Sequence, residues 1–384
     1  MVSNSHVRQV LVVLLAGISA GCAVGPERVG PAVPAEFRGQ FLTFCDLAVR
    51  ELHKDVSEFG DRENADPRTH HMPFFEDAHA ARALAVAYDM TGERRYLEAC
   101  KFWADRMIAY QDRMIPQGAY YMNHGRAPGK NEGRWNVADS CSIGMGVLAT
   151  AVRCDDAAAK AKYLNSAKAF ARLVMDNYQT AEGGIRNGLW PVYDGPWWCS
   201  SALFGTLAFK LYEETGQEQY LKVAMGALDW LLSQDFRKLS PITFEQRPSG
   251  TIFYCFEFYA VGLKYLKPGT PQYESLLRQV DGALAWMAAN QKMRGAAVPD
   301  YTVKNVDMAG LPYLMYIFAR QLPQHCDAVA PADGELRYIG RLLLGRGEPN
   351  VSRLMTWEVM TWGMMSYADR LMPDAMHRNS KGPG

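Results

Sequence analysis

The sequence predicts an all-α chain folded as an (α/α)6 toroid behind a lipoprotein signal peptide, and three observations carry this prediction. The first is a unit that returns. Thr91 to Ile108 (TGERRYLEACKFWADRMI) and Thr215 to Leu232 (TGQEQYLKVAMGALDWLL) both open on Thr-Gly, place Tyr-Leu four residues beyond the glycine, and continue with apolar residues at helical spacing. Weaker copies run from Ala161 to Met175 and from Pro268 to Met287. Their tyrosines, Tyr96, Tyr163, Tyr220 and Tyr273, recur at intervals of roughly 50 to 70 residues, a period that suits a helical hairpin plus a loop. The second observation is a set of stretches between these units that are apolar on nearly every face. SALFGTLAFKLY from Ser201 and IFYCFEFYAVGLKYL from Ile252 are examples, and a helix of that kind is buried on all sides. The third is the near absence of strand patterning. Only Ile252 to Phe258 reads as β-like, and its place in the buried set overrules it.

In chain order, amphipathic outer helices are expected to start near Phe37, Arg94, Asp156, Gln217, Pro271 and Gly334. Apolar inner helices are expected near Asp77, Ala138, Ser200, Thr251, Asp307 and Met355. Inner-to-outer turns are short, as at Thr91-Gly92, Thr215-Gly216 and Pro268-Gly269. Outer-to-inner loops are long: 60–75, 113–136, 179–198, 238–249 and 292–305. In an antiparallel ring every long loop falls on one face, beside the N-termini of the inner helices, and long loops in a compact domain tend to be functional.

At the amino end, Arg8 precedes an apolar run from Val10 to Ile18 that is too short to span a bilayer. Ser19-Ala20-Gly21 directly before Cys22 resembles a bacterial lipobox. The expected organisation is a signal peptide over 1–21, a lipidated Cys22 with a linker to residue 35, the toroid over 36–372 and a disordered tail over 373–384. Such a protein is exported and held at a membrane through its lipid, in the periplasm or at the cell surface.

The 384 residues carry 41 basic and 41 acidic side chains, so the protein as a whole offers no attraction to nucleic acid. Any acidic ligand has to be held by local arginines. The eight cysteines are scattered, without a C-x-x-C pair or metal-ligand spacing, and most lie in apolar helical runs as small core residues. Glu76 and His79 have Glu-x-x-His spacing, but a di-iron site needs two such motifs. No metal and no cofactor is expected.

The long loops and inner-helix heads concentrate aromatic and cationic side chains. Phe75, Tyr121, His124, Trp135, Trp190, Trp197, Trp198 and Tyr301 supply rings, and Arg134 and Arg186, with Arg126, supply forks for a carboxylate or sulfate. His70 and His71 lie in the same set of loops. Rings beside polar forks are a common way to grip sugars, so an oligosaccharide is the expected partner. Two carboxylates stand out within this face. Asp77 opens the first inner helix and Asp139 the second, and neighbouring helix axes lie roughly 8–10 Å apart, so the pair could flank one glycosidic bond. Glu76 rivals Asp77.

At these residues the chain resembles the six-hairpin glycosidase superfamily, and within it the unsaturated uronyl hydrolases of glycoside hydrolase families 88 and 105. The resemblance runs from Phe74 to Thr150, through EDAHAARALAVAYDMTGERRYLEACKFWADRM and RWNVADSCSIGMGVLATA. It implies Asp139 as general acid/base and Asp77 as its partner, in a metal-free hydration of the double bond of an unsaturated uronyl end from acidic polysaccharide. The chain departs from the family pattern in two places. Glu76 stands where a histidine is usual, and Trp198-Cys199-Ser200-Ser201 lacks the arginine and glutamine of the third inner helix. The same ring serves epimerases and polysaccharide lyases, for which Tyr121, His124 or Tyr301 would be the base, and a surface glycan-binding lipoprotein without activity is the remaining alternative.

Overall fold

A computed structural model describes residues 31–56, 66, 68–123, 135–188, 195–234, 248–297, 306–345, 347 and 354–380. The leader, Cys22, His124, Arg126, Arg134, Trp190 and Tyr301 lie outside these described residues.

Twelve α-helices alternate along the described chain. The outer set is α1 (Ala35–Leu52), α3 (Arg94–Gln111), α5 (Ala157–Asn177), α7 (Glu218–Leu232), α9 (Pro271–Ala297) and α11 (Val329–Leu344). The inner set is α2 (Phe74–Thr91), α4 (Val137–Arg153), α6 (Trp198–Thr215), α8 (Pro248–Gly262), α10 (Leu311–Gln321) and α12 (Leu354–Leu371). Each inner helix packs on the next, and α12 packs back on α2, so the ring closes. This is the all-α toroid that the hairpin repeat predicts. A parallel pair of two-residue strands, Asp55–Val56 with Thr69–His70, is the extent of named strands among the described residues. No described helix is long and apolar enough to cross a membrane.

Burial follows the apolar pattern. From Glu76 to Ala87 every residue of α2 is buried, as is every residue of α6 from Trp198 to Leu211. The outer helices bury one stripe only; α5, for example, buries Tyr163, Ser166, Ala167, Phe170, Ala171 and Val174. Cys45, Cys100, Cys141, Cys199 and Cys255 are buried free thiols inside this packing. The hairpins turn tightly because Gly92 and Gly216 end α2 and α6 at φ 71° and 69°, a left-handed cap that suits glycine.

Two helix starts differ from the sequence reading, and proline explains both. Asp307 lies in a 3-10 turn, Val306–Gly310, and α10 begins after it with Pro312 in its first turn. α11 begins at Val329 rather than near Gly334, with Pro331 in its first turn. A first-turn proline costs no hydrogen bond, because those N–H groups have no partner within the helix.

The carboxyl-terminal stretch is a correction to the sequence reading. The tail over 373–384 is expected to be disordered, yet its described part, through Ser380, is pinned across the short-turn end of the ring. Ala375 and Met376 are buried. Arg153 of α4 donates to Ala375 O at 2.8 Å, and Lys210 of α6 donates to His377 O at 2.5 Å. Tyr313 of α10 bonds His377 Nε2 at 2.6 Å. Arg378 donates to Asp89 at 2.6 Å, and Ser380 N donates to Glu214 at 2.8 Å. The local composition is polar and turn-rich, but the charged C-terminal ends of α2, α4 and α6 supply partners that lie far away in sequence.

Candidate active site

Asp77 and Asp139 sit in the first turns of α2 and α4, at the N-terminal ends of the inner helices. The positive end of each helix dipole favours a carboxylate there. The two helices approach closely because Gly146 of α4 meets α2 without a side chain. A Cβ built on Gly146 would fall 3.2 Å from Ala78 Cα and 2.8 Å from the Trp103 ring. Small residues in α4 therefore do what the sequence suggests: they let the helix that carries Asp139 lie flush against the one that carries Asp77.

Asp139 is the more accessible of the two, half-buried at the head of α4. Asn136 is the N-cap, and its Oδ1 accepts from Asp139 N at 2.8 Å. Its Nδ2 donates to Asp139 Oδ2 at 2.9 Å, so one side chain both caps the helix and fixes the carboxylate. Asn187 braces the same helix head, accepting from Val137 N at 3.1 Å and Ala138 N at 3.3 Å, while Ser200 of α6 donates to it at 2.6 Å. The helix head is capped by Asn136 and Asn187, not by the Asp139 carboxylate.

Asp77 has no solvent exposure. His70 Nε2 lies 2.8 Å from its Oδ1 and 3.0 Å from its Oδ2, and Trp357 Nε1 of α12 donates to Oδ1 at 3.0 Å. The other nitrogen of His70 lies 4.0 Å from Glu51 at the end of α1. Burial alone would push the His70 pKa down, but the charges of Asp77 and Glu51, with their hydrogen bonds, push it up to about 9. At neutral pH His70 is an imidazolium gripping a carboxylate.

Glu76 is equally buried, with Thr361 of α12 donating to it at 3.3 Å and His79 Nδ1 at 3.4 Å from it. His79 stands at the centre of the ring. Its imidazole meets Phe75 of its own helix edge-on at 6.4 Å, Trp362 of α12 at 5.7 Å and Phe253 of α8 at 5.9 Å. In a closed ring of six inner helices α8 stands opposite α2, so the contact with Phe253 crosses the axis. Burial and the charge of Arg82 push His79 down to about 3, against the opposite pull of Glu257, Asp139 and Asp77. Both aspartates therefore act electrostatically on this one neutral imidazole. Tyr254, half-buried, extends the aromatic cluster, edge-on to Trp362 at 5.8 Å. Among the described residues no group of three or more His, Cys, Asp or Glu side chains is placed to hold a metal ion.

The other expected contact residues divide by burial. Phe75 and Trp197 are half-buried at the face, as a sugar platform requires. Trp135 is 1% exposed, packed edge-on to Tyr178 at 5.4 Å and over Gly188, so it locks the 178–188 loop instead of stacking on a ligand. Trp198 and Tyr121 are buried as well: Trp198 lies against Trp197 at 5.4 Å, and Tyr121 against Tyr110 at 5.0 Å. Arg186 is exposed, but it donates to Asn177 O at 2.7 Å and so ties the loop to the end of α5. In loops, where the sequence shows only residue type, the largest rings went to packing because burying them gains most. The sequence reading missed the clamp on Asp77 and the axial cluster around His79. Trp357 and Trp362 lie about 280 residues beyond Asp77, where no local signal connects them.

A ring of six helical hairpins, with carboxylates at the heads of its inner helices, is the fold of the six-hairpin glycosidases, and the chain shares that fold. Residues 53–240 match the family model described as glycosyl hydrolase family 76, and the protein is a glycoside hydrolase. Three solved structures illustrate the shared ring. Dfg5 from Chaetomium thermophilum in complex with glucosamine is 12% identical with TM-score 0.59, over 90% of this chain and 92% of that one. A possible family 105 member from Salmonella enterica is 12% identical with TM-score 0.57, over 91% and 100%. A family 76 mannosidase from Bacteroides thetaiotaomicron is 13% identical with TM-score 0.54, over 87% and 98%. At these identities they speak for the fold alone, which families 76 and 105 hold in common. No curated protein sequence matches the chain.

Proposed function

We propose that the enzyme hydrolyses a glycosidic bond between neutral sugars of the mannan type, with Asp139 as general acid/base and Asp77 as a fixed anion behind it. The observation that carries this reading is the contrast between the two carboxylates: one half-exposed and held by a neutral amide, the other buried against an imidazolium. In the first step Asp139 gives its proton to the leaving oxygen as the bond to the anomeric carbon breaks. Asp77 opposes the positive charge that develops on the sugar ring. Water then adds to the anomeric carbon and returns a proton to Asp139. Phe75 and Trp197 offer ring faces for the sugar. The choice of a neutral sugar draws on the family 76 match, on the family 76 structure named a mannosidase, and on Arg186, the one described arginine of the three expected to hold a carboxylate, which donates to the end of α5.

Hydrolysis of unsaturated uronyl ends by the same two aspartates is the second reading. It draws on the likeness of Phe74 to Thr150 to the uronyl hydrolases and would rely on Arg126 and Arg134, outside the described residues. Two assays separate the readings: release of reducing ends from mannan oligosaccharides, and loss of ultraviolet absorbance from an unsaturated uronyl disaccharide. Turnover of the disaccharide alone would overturn the first reading and leave the second.

We also assign the protein to a membrane surface through a lipid on Cys22. Arg370 donates to Pro31 O at 2.6 Å beside the start of α1, so the first described residues are held on the short-turn face. Membrane and soluble fractions of cells expressing the Cys22→Ala variant test this; a variant that stays with the membrane would remove the assignment.

A further inference from the structure

We propose that His70 is a positioning residue of the active site: from the loop before α2 it grips both oxygens of Asp77 and, together with Trp357, holds that carboxylate as a fixed anion, so that Asp139 alone carries the proton. The inference rests on the reading of Asp77 and Asp139 given above and adds a residue that acts through one of them.

The geometry has three parts. The first is the grip itself. A single ring nitrogen lies within hydrogen-bond distance of both Asp77 oxygens, and Trp357 from the neighbouring inner helix donates to Oδ1, so the carboxylate is held in one orientation. His70 is itself packed edge-on to Trp357 at 5.5 Å, and the two donors hold each other in place. The second is burial. Asp77 and His70 are 0% and 2% exposed, so no water competes for the pair. A buried carboxylate left alone would take up a proton; beside a cation it stays charged.

The third is the charge environment of His70 from every element packed on it. Asp77 faces it from α2 and Glu51 from the end of α1. Lys54 pairs with Glu51 at 2.8 Å, and Arg106 of α3, which donates to Lys54 O at 3.0 Å, feels the charge of Asp77. Trp357 from α12 is neutral. Charges alternate from Lys54 through Glu51 and His70 to Asp77, ending at the first turn of α2. Each sign is matched by its neighbour, which makes the row self-consistent at neutral pH and sensitive at one place, the imidazole.

Division of labour follows from this row. A carboxylate held between an imidazolium and an indole N–H is a good stationary charge, whereas Asp139 stands half-buried at the head of α4 with a neutral amide at Oδ2. Two carboxylates with different surroundings can thereby take different roles.

The test uses purified full-length protein with mannan oligosaccharides and, in parallel, the unsaturated uronyl disaccharide, taking whichever is turned over. His70→Gln keeps an N–H donor and removes the cation. We expect kcat to fall by about 10²-fold with KM little changed. Loss of the positive charge at residue 70 should move the acid limb of kcat/KM to higher pH. Trp357→Phe, which keeps the ring and loses one donor, should lower kcat less and leave the limb in place. A residue that served only to hold the fold would lower the melting temperature and the yield of active protein without moving the pH profile, and that result would overturn the proposal. An imidazole NMR titration of the wild type provides a readout without turnover. His70 should remain an imidazolium at pH 7.5, and should titrate in the ordinary histidine range in Asp77→Asn; a neutral His70 at pH 7.5 also overturns it. Full activity in Asp77→Asn, by contrast, would bring down the underlying reading of the two aspartates, a failure distinct from that of His70.

Discussion

Arg82 of α2 and Glu257 of α8 form an ion pair across the middle of the ring, with both side chains about 4% exposed. One bond, Nη1 to Oε2, spans 3.3 Å, and a second joins Nη2 to Oε1. Tyr313 donates to the same Glu257 oxygen at 2.9 Å, and His377 of the carboxyl-terminal stretch lies 3.5 Å from it. Removing one member of a buried pair leaves the other as an unpaired buried charge, which typically costs about 3–5 kcal/mol. Arg82→Met should therefore destabilise the protein strongly in urea, while the double variant Arg82→Met/Glu257→Leu should recover much of the loss. If the double variant is no more stable than the single, the pair is not what fixes the two opposite helices.

Gly146 and Trp103 give a prediction about packing that reaches the active site. Gly146→Ala places a methyl group 2.8 Å from Trp103 Cη2 and Cζ3, and overpacking of this kind costs about 1–3 kcal/mol. Because the same glycine sets the approach of α4 to α2, activity should fall even at temperatures where the variant is folded. Gly39 of α1 is the control. A Cβ there meets nothing within 4 Å, so Gly39→Ala should stabilise by about 0.4–1 kcal/mol and leave turnover unchanged. Thermal melts and turnover, measured side by side, check both.

The buried histidines predict how stability follows pH. His70 has its pKa raised from 6.5 to about 9, so its contribution is complete below pH 6.5 and is lost as pH rises through 9. Burial and Arg82 lower His79 to about 3, and burial, Lys210 and Arg82 lower His377 well below its usual value. These two bind protons more readily when unfolded, so stability is lost as pH falls below 6.5. The opposing slopes place the maximum near pH 6.5. Urea unfolding at pH 4.5, 6.5 and 8.5 should show the highest midpoint at the middle value in the wild type. In His70→Gln the alkaline decline should flatten.

How far the sequence reaches is visible in these same residues. The ring itself was legible, because a hairpin repeat and two kinds of helix, amphipathic and apolar all round, are local patterns. The place of Asp139 at the head of an inner helix was legible for the same reason: a loop, a cap and a carboxylate follow one another in a single short stretch. The partners of Asp77 were not, since His70 lies in a loop of mixed composition and Trp357 enters from the last helix of the ring. Trp135 and Arg186 mislead from sequence because a tryptophan and an arginine in a loop look alike whether they hold a ligand or hold the loop. Here Gly188 under the Trp135 ring and the Asn177 carbonyl beside Arg186 decide for the loop.

Asp139→Asn is the sharpest test of the site. The amide is nearly isosteric, and the 2.8 Å bond from Asp139 N to the Asn136 side chain does not involve the carboxylate, so the cap survives the substitution. The 2.9 Å contact from Asn136 Nδ2 to Oδ2 becomes a weaker bond to a neutral amide oxygen, which can still accept it. Stability should change by less than about 1 kcal/mol, since a net hydrogen bond contributes roughly that much. The proton carrier, however, is gone, and general acid/base catalysis contributes about 10²- to 10⁴-fold. Turnover should fall by that factor while the melting temperature and oligosaccharide binding hold. Asp139→Ala, which also frees the Asn136 amide, should lose the same activity and more stability. An Asp139→Asn enzyme that keeps its turnover would move the acid elsewhere, and Glu76, at the head of α2 beside His79, would be the next carboxyl group to replace.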